Sequence, residues 1–203
     1  VRLAIVDALG ASDRAPVELR RQLGLESNLL AHHLDVLERV GLVERSRSSG
    51  DGRRRYVHLD TRALANLAAS PPLEPSDALF VCTANSARSQ LAAALWRQCT
   101  GRAASSAGTH PASRVHPRAV AAARRAGLDL SEARPRQLGE VAELPSLVVT
   151  VCDRAHEELA DSESWLHWSI PDPVPAGTPV AFDGVVAELR RRIDSTVVVS
   201  EAS

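Results

Sequence analysis

The sequence predicts an α/β protein in two parts: an N-terminal winged helix-turn-helix, then a C-terminal four-stranded parallel sheet flanked by helices. Three observations carry this reading. Helical patterns followed by a hairpin pattern occupy the first part of the chain. Three prolines in ASPPLEPSD, residues 69–77, then interrupt it; proline lacks an amide donor and restricts the residue before it, so this stretch reads as a linker. Beyond it, short apolar runs alternate with helical patterns, as in a parallel sheet covered on both faces. The chain divides into residues 1–69, a Pro-rich linker at 70–77 and residues 78–203.

At 203 residues, 44% hydrophobic and 24% charged, the composition is that of an ordinary soluble globular protein with room for two small domains. No apolar run approaches the length that spans a bilayer. The opening VRLAIVDALG carries one Arg and no cleavage-site pattern. It begins on Val rather than Met, so residues are expected to precede Val1. Six aromatic residues (three Trp, two Phe, one Tyr) are too few for a single-strand stacking platform. Three cysteines are an odd number and too few for a disulfide scaffold, which points to reduced thiols and a cytoplasmic location.

In the first part, Leu3, Ile5, Val6 and Leu9 predict a helix ending at Gly10. Pro16 suits a first helical turn and Gly24 a helix end. Ser27 is the expected cap of the next helix, whose stripe is Leu30, Leu34, Leu37 and Val40, stopped by Gly41. LVERSRS and RRRYVHL around SGDG predict a β-hairpin. Arg45, Arg47, Arg53, Arg54 and Arg55 fall within eleven residues, a basic wing offset by Asp51. Such a module lays one helix in the major groove.

The stretch SNLLAHHLDVLERVGLVERSRSSGDGRRRYVHL resembles the DNA-reading half of ArsR-type repressors, over most of residues 1–70. The resemblance implies a homodimer on double-stranded operator DNA, with Ser27, Asn28, His32 and His33 as groove contacts and Arg53, Arg54 and Arg55 on phosphates. Arsenite-sensing members carry a Cys-x-Cys where this chain has Ala15 and Val17, and no Cys precedes Cys82. TRALANLAAS, expected as a further helix, also lacks the ligands of zinc-sensing relatives, so no metal site is expected. A protein-interaction winged helix remains the alternative.

In the second part, ALFVC reads as a buried strand and SQLAAALWRQC as a helix with Leu91, Leu95 and Cys99 on one face. Between them TANSAR is small and polar, so its backbone can curl closely. Amides of Thr83, Ala84, Asn85, Ser86, Ala87 and Arg88 can form an anion nest, to which the helix N-terminus adds its positive end. Arg88 can grip two oxygens of a tetrahedral anion with its planar fork. The same field favours thiolate, which makes Cys82 the nucleophile. Asn85 and Ser86 brace the loop, and Ser89 is placed to donate to the sulfur. AASSAG, SLVVTVC and WLHWSI supply the remaining strands, VHPRAVAAARRAG and VAFDGVVAELRRRID two helices.

FVCTANSARSQLAAAL, SSAGTHP, VVTVCDRAHEEL and WSIPDPVPAGT, in that order, resemble the low-molecular-weight tyrosine phosphatase superfamily, its arsenate reductase branch most closely, over residues 77–195. The resemblance implies an oxyanion substrate, arsenate or phosphate, with Asp172, followed by Pro173, as general acid. It implies a redox role for Cys152, although Ala87 stands where many thiol-relay reductases have a cysteine and DRAHEEL lacks the third thiol. Cys152 then either resolves the adduct on Cys82 or is a small hydrophobe at a strand end. No cofactor is expected to be bound; the reductant is thioredoxin, or a low-molecular-weight thiol such as mycothiol with a redoxin. Cys99, eleven residues beyond Arg88, lies roughly 16 Å from the loop and reads as core. The expected protein is an arsenate reductase fused to a transcriptional regulator domain; a phosphatase and an oxyanion- or redox-sensing repressor are the alternatives.

Overall fold

The structure is a computed structural model that describes residues 1–60, 63, 73–159 and 165–197. The expected helix at TRALANLAAS and the first part of the linker lie outside these residues.

The N-terminal unit is α1 (Arg2–Leu9), α2 (Pro16–Leu23), α3 (Ser27–Arg39) and the antiparallel pair β1 (Val43–Arg47) and β2 (Arg55–Leu59). Arg14 bridges to Val57, adding one rung beside the hairpin, so this is a winged helix. Ile5, Leu9, Leu19, Leu30, Leu34, Leu37, Val43 and Val57 form its core. Two expectations shift. Glu26, extended at φ −69° and ψ 146°, is the residue before α3, so Ser27 is already helical and its hydroxyl caps nothing. Val40 leaves the apolar stripe and is exposed, because the helix ends at Arg39 and Gly41 turns left-handed at φ 73°. The Leu42 amide then returns to the Leu37 carbonyl and the Gly41 amide to that of Glu38, closing the end in a Schellman arrangement.

The C-terminal unit contains β3 (Ala78–Cys82), α4 (Arg88–Thr100), β4 (Ala104–Gly108), α5 (Pro117–Arg125), β5 (Leu147–Thr150), α6 (Asp153–Glu158), β6 (Leu166–His167), α7 (Pro173–Ala176) and α8 (Pro179–Thr196). The sheet order is β4-β3-β5-β6 and every pairing is parallel. All of β3 is buried, as a central parallel strand must be. Phe80 packs between Trp96 of α4 and Trp168, with ring centroids 5.6 and 5.9 Å away. The expected fourth strand WLHWSI contracts to two residues, since its chain turns away to meet the other unit.

Those two hydrophobic cores are separate. What joins the units is a buried, largely polar seam, in which the Tyr56 ring of the wing also packs on those of His167 (4.6 Å) and His156 (6.0 Å). Asp13 donates its amide to the His167 carbonyl (2.8 Å), and the His167 amide donates to Ser12 Oγ (2.9 Å). The Trp168 indole N–H reaches the Ala11 carbonyl at 3.1 Å. The Asp13 carboxylate, with no exposure, accepts from Arg192 Nη1 of α8 (2.8 Å) and the Ser169 amide (2.8 Å), and lies 3.0 Å from His58 Nδ1. Burial on its own raises such a carboxyl, but the charges of Arg192 and His58 outweigh it and hold Asp13 far below the usual carboxylate range. Beside it, His156 and His167 stack at 4.1 Å, both against Thr150 Oγ1.

Removing one member of a buried ion pair leaves the other charge unmatched. Asp13→Ala is expected to lower stability at pH 7 by about 3–5 kcal/mol, measured by urea unfolding. The native Asp13 carboxyl is depressed, so its contribution is full above the ordinary carboxyl value of about 4 and lost as pH falls below it. The gap between wild type and variant should therefore narrow in acid.

Candidate active site

In an open parallel sheet the crevice lies beyond the carboxyl ends of the strands, where chain connections diverge to either side. Here β3 is flanked by β4 on one side and β5 on the other. Cys82 ends β3, and Cys152 stands just past β5. The topology thus brings both thiols to one crevice.

The loop after Cys82 is held open by its neighbours. Amides of Thr109, His110, Ala112 and His116 take the carbonyls of Cys82, Thr83, Ala84 and Ser86 at 2.8–3.2 Å. With its carbonyls drawn outward, the loop points amides at both sulfurs: the Asn85 N–H donates to Cys82 Sγ and the Thr83 N–H to Cys152 Sγ, each at 3.2 Å. Asn85 is the one described non-glycine residue at positive φ (47°), a conformation a short amide side chain tolerates. It is fully buried and braced: Nδ2 donates to Ser89 Oγ (2.8 Å), while Oδ1 accepts from the Arg136 amide (3.0 Å) and Gln90 Nε2 (3.2 Å). Ser89 Oγ in turn lies 3.0 Å from Cys82 Sγ. A Cβ on Gly108 would stand 2.6 Å from the Thr83 carbonyl oxygen and 3.0 Å from Asn85 Cβ, so only glycine lets the loop lie across the end of β4.

Arg88 opens α4 and is 8% exposed. Nη1 donates to the Ile170 carbonyl at 3.0 Å, and Nη2 lies 3.3 Å from Asp172 Oδ2. The other Asp172 oxygen caps α7 by accepting the Val174 amide at 3.1 Å. A carboxylate, a guanidinium and a sulfur are thereby placed on the turn at α7, the start of α4 and the end of β3. Asp172 also faces a cleft of about 900 Å³ whose opposite wall is the wing, through Ser46, Arg47 and His58.

Cys152 is the cap of α6. Its Sγ accepts from the Ala155 amide (3.4 Å) and the Thr83 amide (3.2 Å) and touches Thr83 Oγ1 at 3.3 Å. Burial pushes this thiol up, and negative charge at Cys82 adds to the effect, with Arg88 opposing. Cys99 lies at the far end of α4, half-buried, 3.6 Å from Arg190 Nη1. The structure does not bring it to the crevice. Gln90, Arg136 and residues 112–116 carry no site signal of their own in the sequence; Gly108 to Pro111 fall within SSAGTHP, which marks the resemblance without assigning them a role.

Of the residues expected at DNA, Ser27, Asn28 and His32 are exposed on α3, and His33 is half-covered with its ring 5.5 Å from that of His32. Arg53, Arg54 and Arg55 are exposed, with Arg54 3.7 Å from Asp51. The wing that carries them does not end in open solvent. Its tip packs on α6: the Ser49 amide donates to Asp153 Oδ2 and the Asp51 amide to Glu157 Oε2, each at 2.8 Å, and Ser48 Oγ bonds Glu157.

A family model described as low molecular weight phosphotyrosine protein phosphatase matches residues 77–198, and one described as a helix-turn-helix domain matches residues 1–46. An arsenate reductase of Brevibacillus brevis is 32% identical over 120 residues, 56% of this chain and 88% of the relative. A solved arsenate reductase in the phosphate binding state superposes at TM-score 0.53 with 23% identity, over 62% of this chain and 99% of its own. A tyrosine phosphatase from Erwinia amylovora superposes at TM-score 0.53 with 20% identity, over 64% and 95%. At those identities the two superpositions speak to the fold alone.

The loop's dependence on Gly108 is testable. Gly108→Ala should leave the protein folded by circular dichroism and weaken inorganic phosphate binding at least about tenfold by titration calorimetry, because the intruding Cβ meets backbone rather than a pliable side chain.

Proposed function

Because the chain belongs to the low-molecular-weight phosphotyrosine protein phosphatase family, with an ArsR-type helix-turn-helix domain ahead of the family domain, we propose that it is a thiol-dependent arsenate reductase joined to a DNA-binding regulator. The observation that carries the choice within the family is the second sulfur. Cys152 Sγ accepts the Thr83 amide and Cys82 Sγ the Asn85 amide, so both thiols rest against one loop. A phosphatase cycle ends with water and needs no second thiol.

Arsenate enters with its oxygens on the loop amides and on Arg88, taking the place of Asp172 beside Nη2. The Cys82 sulfur attacks arsenic, and Asp172 gives its proton to the departing oxygen, which leaves as water. The Cys152 thiolate then attacks Cys82 Sγ. The sulfur–arsenic bond breaks with its electron pair passing to arsenic, so As(V) becomes As(III), and a Cys82–Cys152 disulfide remains. The two thiols supply the two electrons. Thioredoxin, or a low-molecular-weight thiol with a redoxin, then reduces the disulfide. The winged helix is read as a homodimeric binder of double-stranded operator DNA through α3 and the Arg53–Arg55 wing.

Five of the six aromatic residues are fully buried, which leaves little to hold an aryl phosphate. Arsenite formation by the purified protein, offered both classes of reductant, tests the proposal. Turnover should vanish in Cys82→Ser; aryl phosphate hydrolysis without arsenite would assign a phosphatase instead. The raised Cys152 thiol sets a pH signature. Attack needs the thiolate, so disulfide formation in a single turnover should quicken about tenfold per pH unit from pH 7 upward until the thiol ionises.

A further inference from the structure

The polar seam does more than join two units, for one end of it sits on the helix that Cys152 begins. That helix, α6, is six residues long and too short to persist by itself. Its start is fixed by Cys152 Sγ, through the Ala155 and Thr83 amides. Its next residue, Asp153, receives the Ser49 amide from the wing on Oδ2 and lies 3.3 Å from His167 Nε2 on Oδ1. One turn later Glu157 receives the Asp51 amide and the Ser48 hydroxyl. The fit is close: a Cβ on Gly50 would meet the Glu157 carboxylate and stand 2.8 Å from Arg154 Cα and 3.0 Å from its nitrogen. The wing tip is thus moulded to α6 as placed by a reduced Cys152.

A disulfide changes the contacts that set that placement. Bonding Cys82 Sγ at about 2.05 Å re-aims the Cys152 sulfur, which now rests on the Thr83 amide and hydroxyl and the Ala155 amide. The helix cap shifts with it, and the displacement falls first on Asp153, the residue that holds Ser49.

Building on the reductase reading, we propose that the wing tip Ser48–Asp51 and the Cys82–Cys152 thiol pair form one coupled switch, in which the dithiol form holds the wing on α6 and the disulfide releases it. The catalytic cycle is thereby read out on the hairpin that a winged helix offers to a DNA backbone. Coupling is reciprocal, so a wing that cannot dock makes the disulfide easier to form and harder to reduce.

The full chain carrying Cys99→Ser is oxidised either by one turnover of arsenate or by diamide, which takes the two electrons and two protons of the thiols. Amide hydrogen exchange is then followed at Ser49 and Asp51. Exchange should be at least about tenfold faster in the disulfide form than in the dithiol form. Equal protection in both forms overturns the proposal, as does failure of diamide to form the bond. Release with diamide but no disulfide from arsenate keeps the switch and rejects the reductase reading. In the reciprocal arm, Gly50→Val and Glu157→Ala, altering opposite sides of the contact, are equilibrated with a dithiol buffer. Each should shift the thiol–disulfide equilibrium toward disulfide about tenfold, or about 30 mV more negative. Inorganic phosphate binding, whose expected contacts are the loop amides and Arg88 rather than Gly50 or Glu157, should be unchanged. A potential equal to wild type in both variants overturns the proposal.

Discussion

A carboxylate shut away from water has to be matched by charge and hydrogen bonds, and Asp13 is where this chain meets that demand. Its partners come from three places: Arg192 on the last helix, His58 on the wing and the Ser169 amide beyond β6. Moving any of these elements off takes a partner from the buried charge. The arrangement therefore fixes the winged helix against the sheet at a single angle. With the angle fixed, the hairpin reaches α6 and covers one wall of the cleft in front of Asp172. The wing's neighbourhood with the thiol chemistry follows from the seam.

Within the crevice the governing constraint is the direction of backbone dipoles. Five small or polar residues between β3 and α4 have too little side chain to form a site of their own. Their carbonyls are drawn off by the 109–116 segment, and Asn85 holds the strained turn through contacts with Ser89, Gln90 and Arg136. Preorganised amides need not reorient as charge develops on an oxyanion. Arg88 is poised in the same way, its fork already set by Ile170 and Asp172.

The strands, the order of helices and the loop around Cys82 were legible because each is a local pattern. ALFVC is a buried run, TANSAR a small polar turn, and VVTVC a second buried run ending in a thiol. Long-range facts were not legible. Nothing in the local sequence of Asp13 says that it meets Arg192, 179 residues on, because ion pairing across a fold has no period. Gly108 needed the loop in place before its missing Cβ meant anything. Ser27 and Val40 depart from expectation for a smaller reason. Helix ends are settled within a residue by backbone angle, and Gly41 turns the chain just before Val40 can join the apolar stripe.

The character of the seam also bears on what it can do. Had the units shared an apolar core, parting them would expose hydrophobic surface, and the chain would hold one arrangement in every state. The cores are instead separate, and the wing-tip end of the seam consists of hydrogen bonds from Ser48, Ser49 and Asp51 to carboxylates. Each such bond is worth about 1 kcal/mol net, somewhat more with a charged acceptor, since water replaces it when it opens. Their sum, a few kcal/mol, lies within reach of what two distant sites commonly exchange. It is small beside the cost of unmatching Asp13, which stays buried at the other end. The seam is therefore graded: anchored where the carboxylate is dry, releasable where α6 begins. That gradient lets a thiol pair shift the wing while the two domains stay joined.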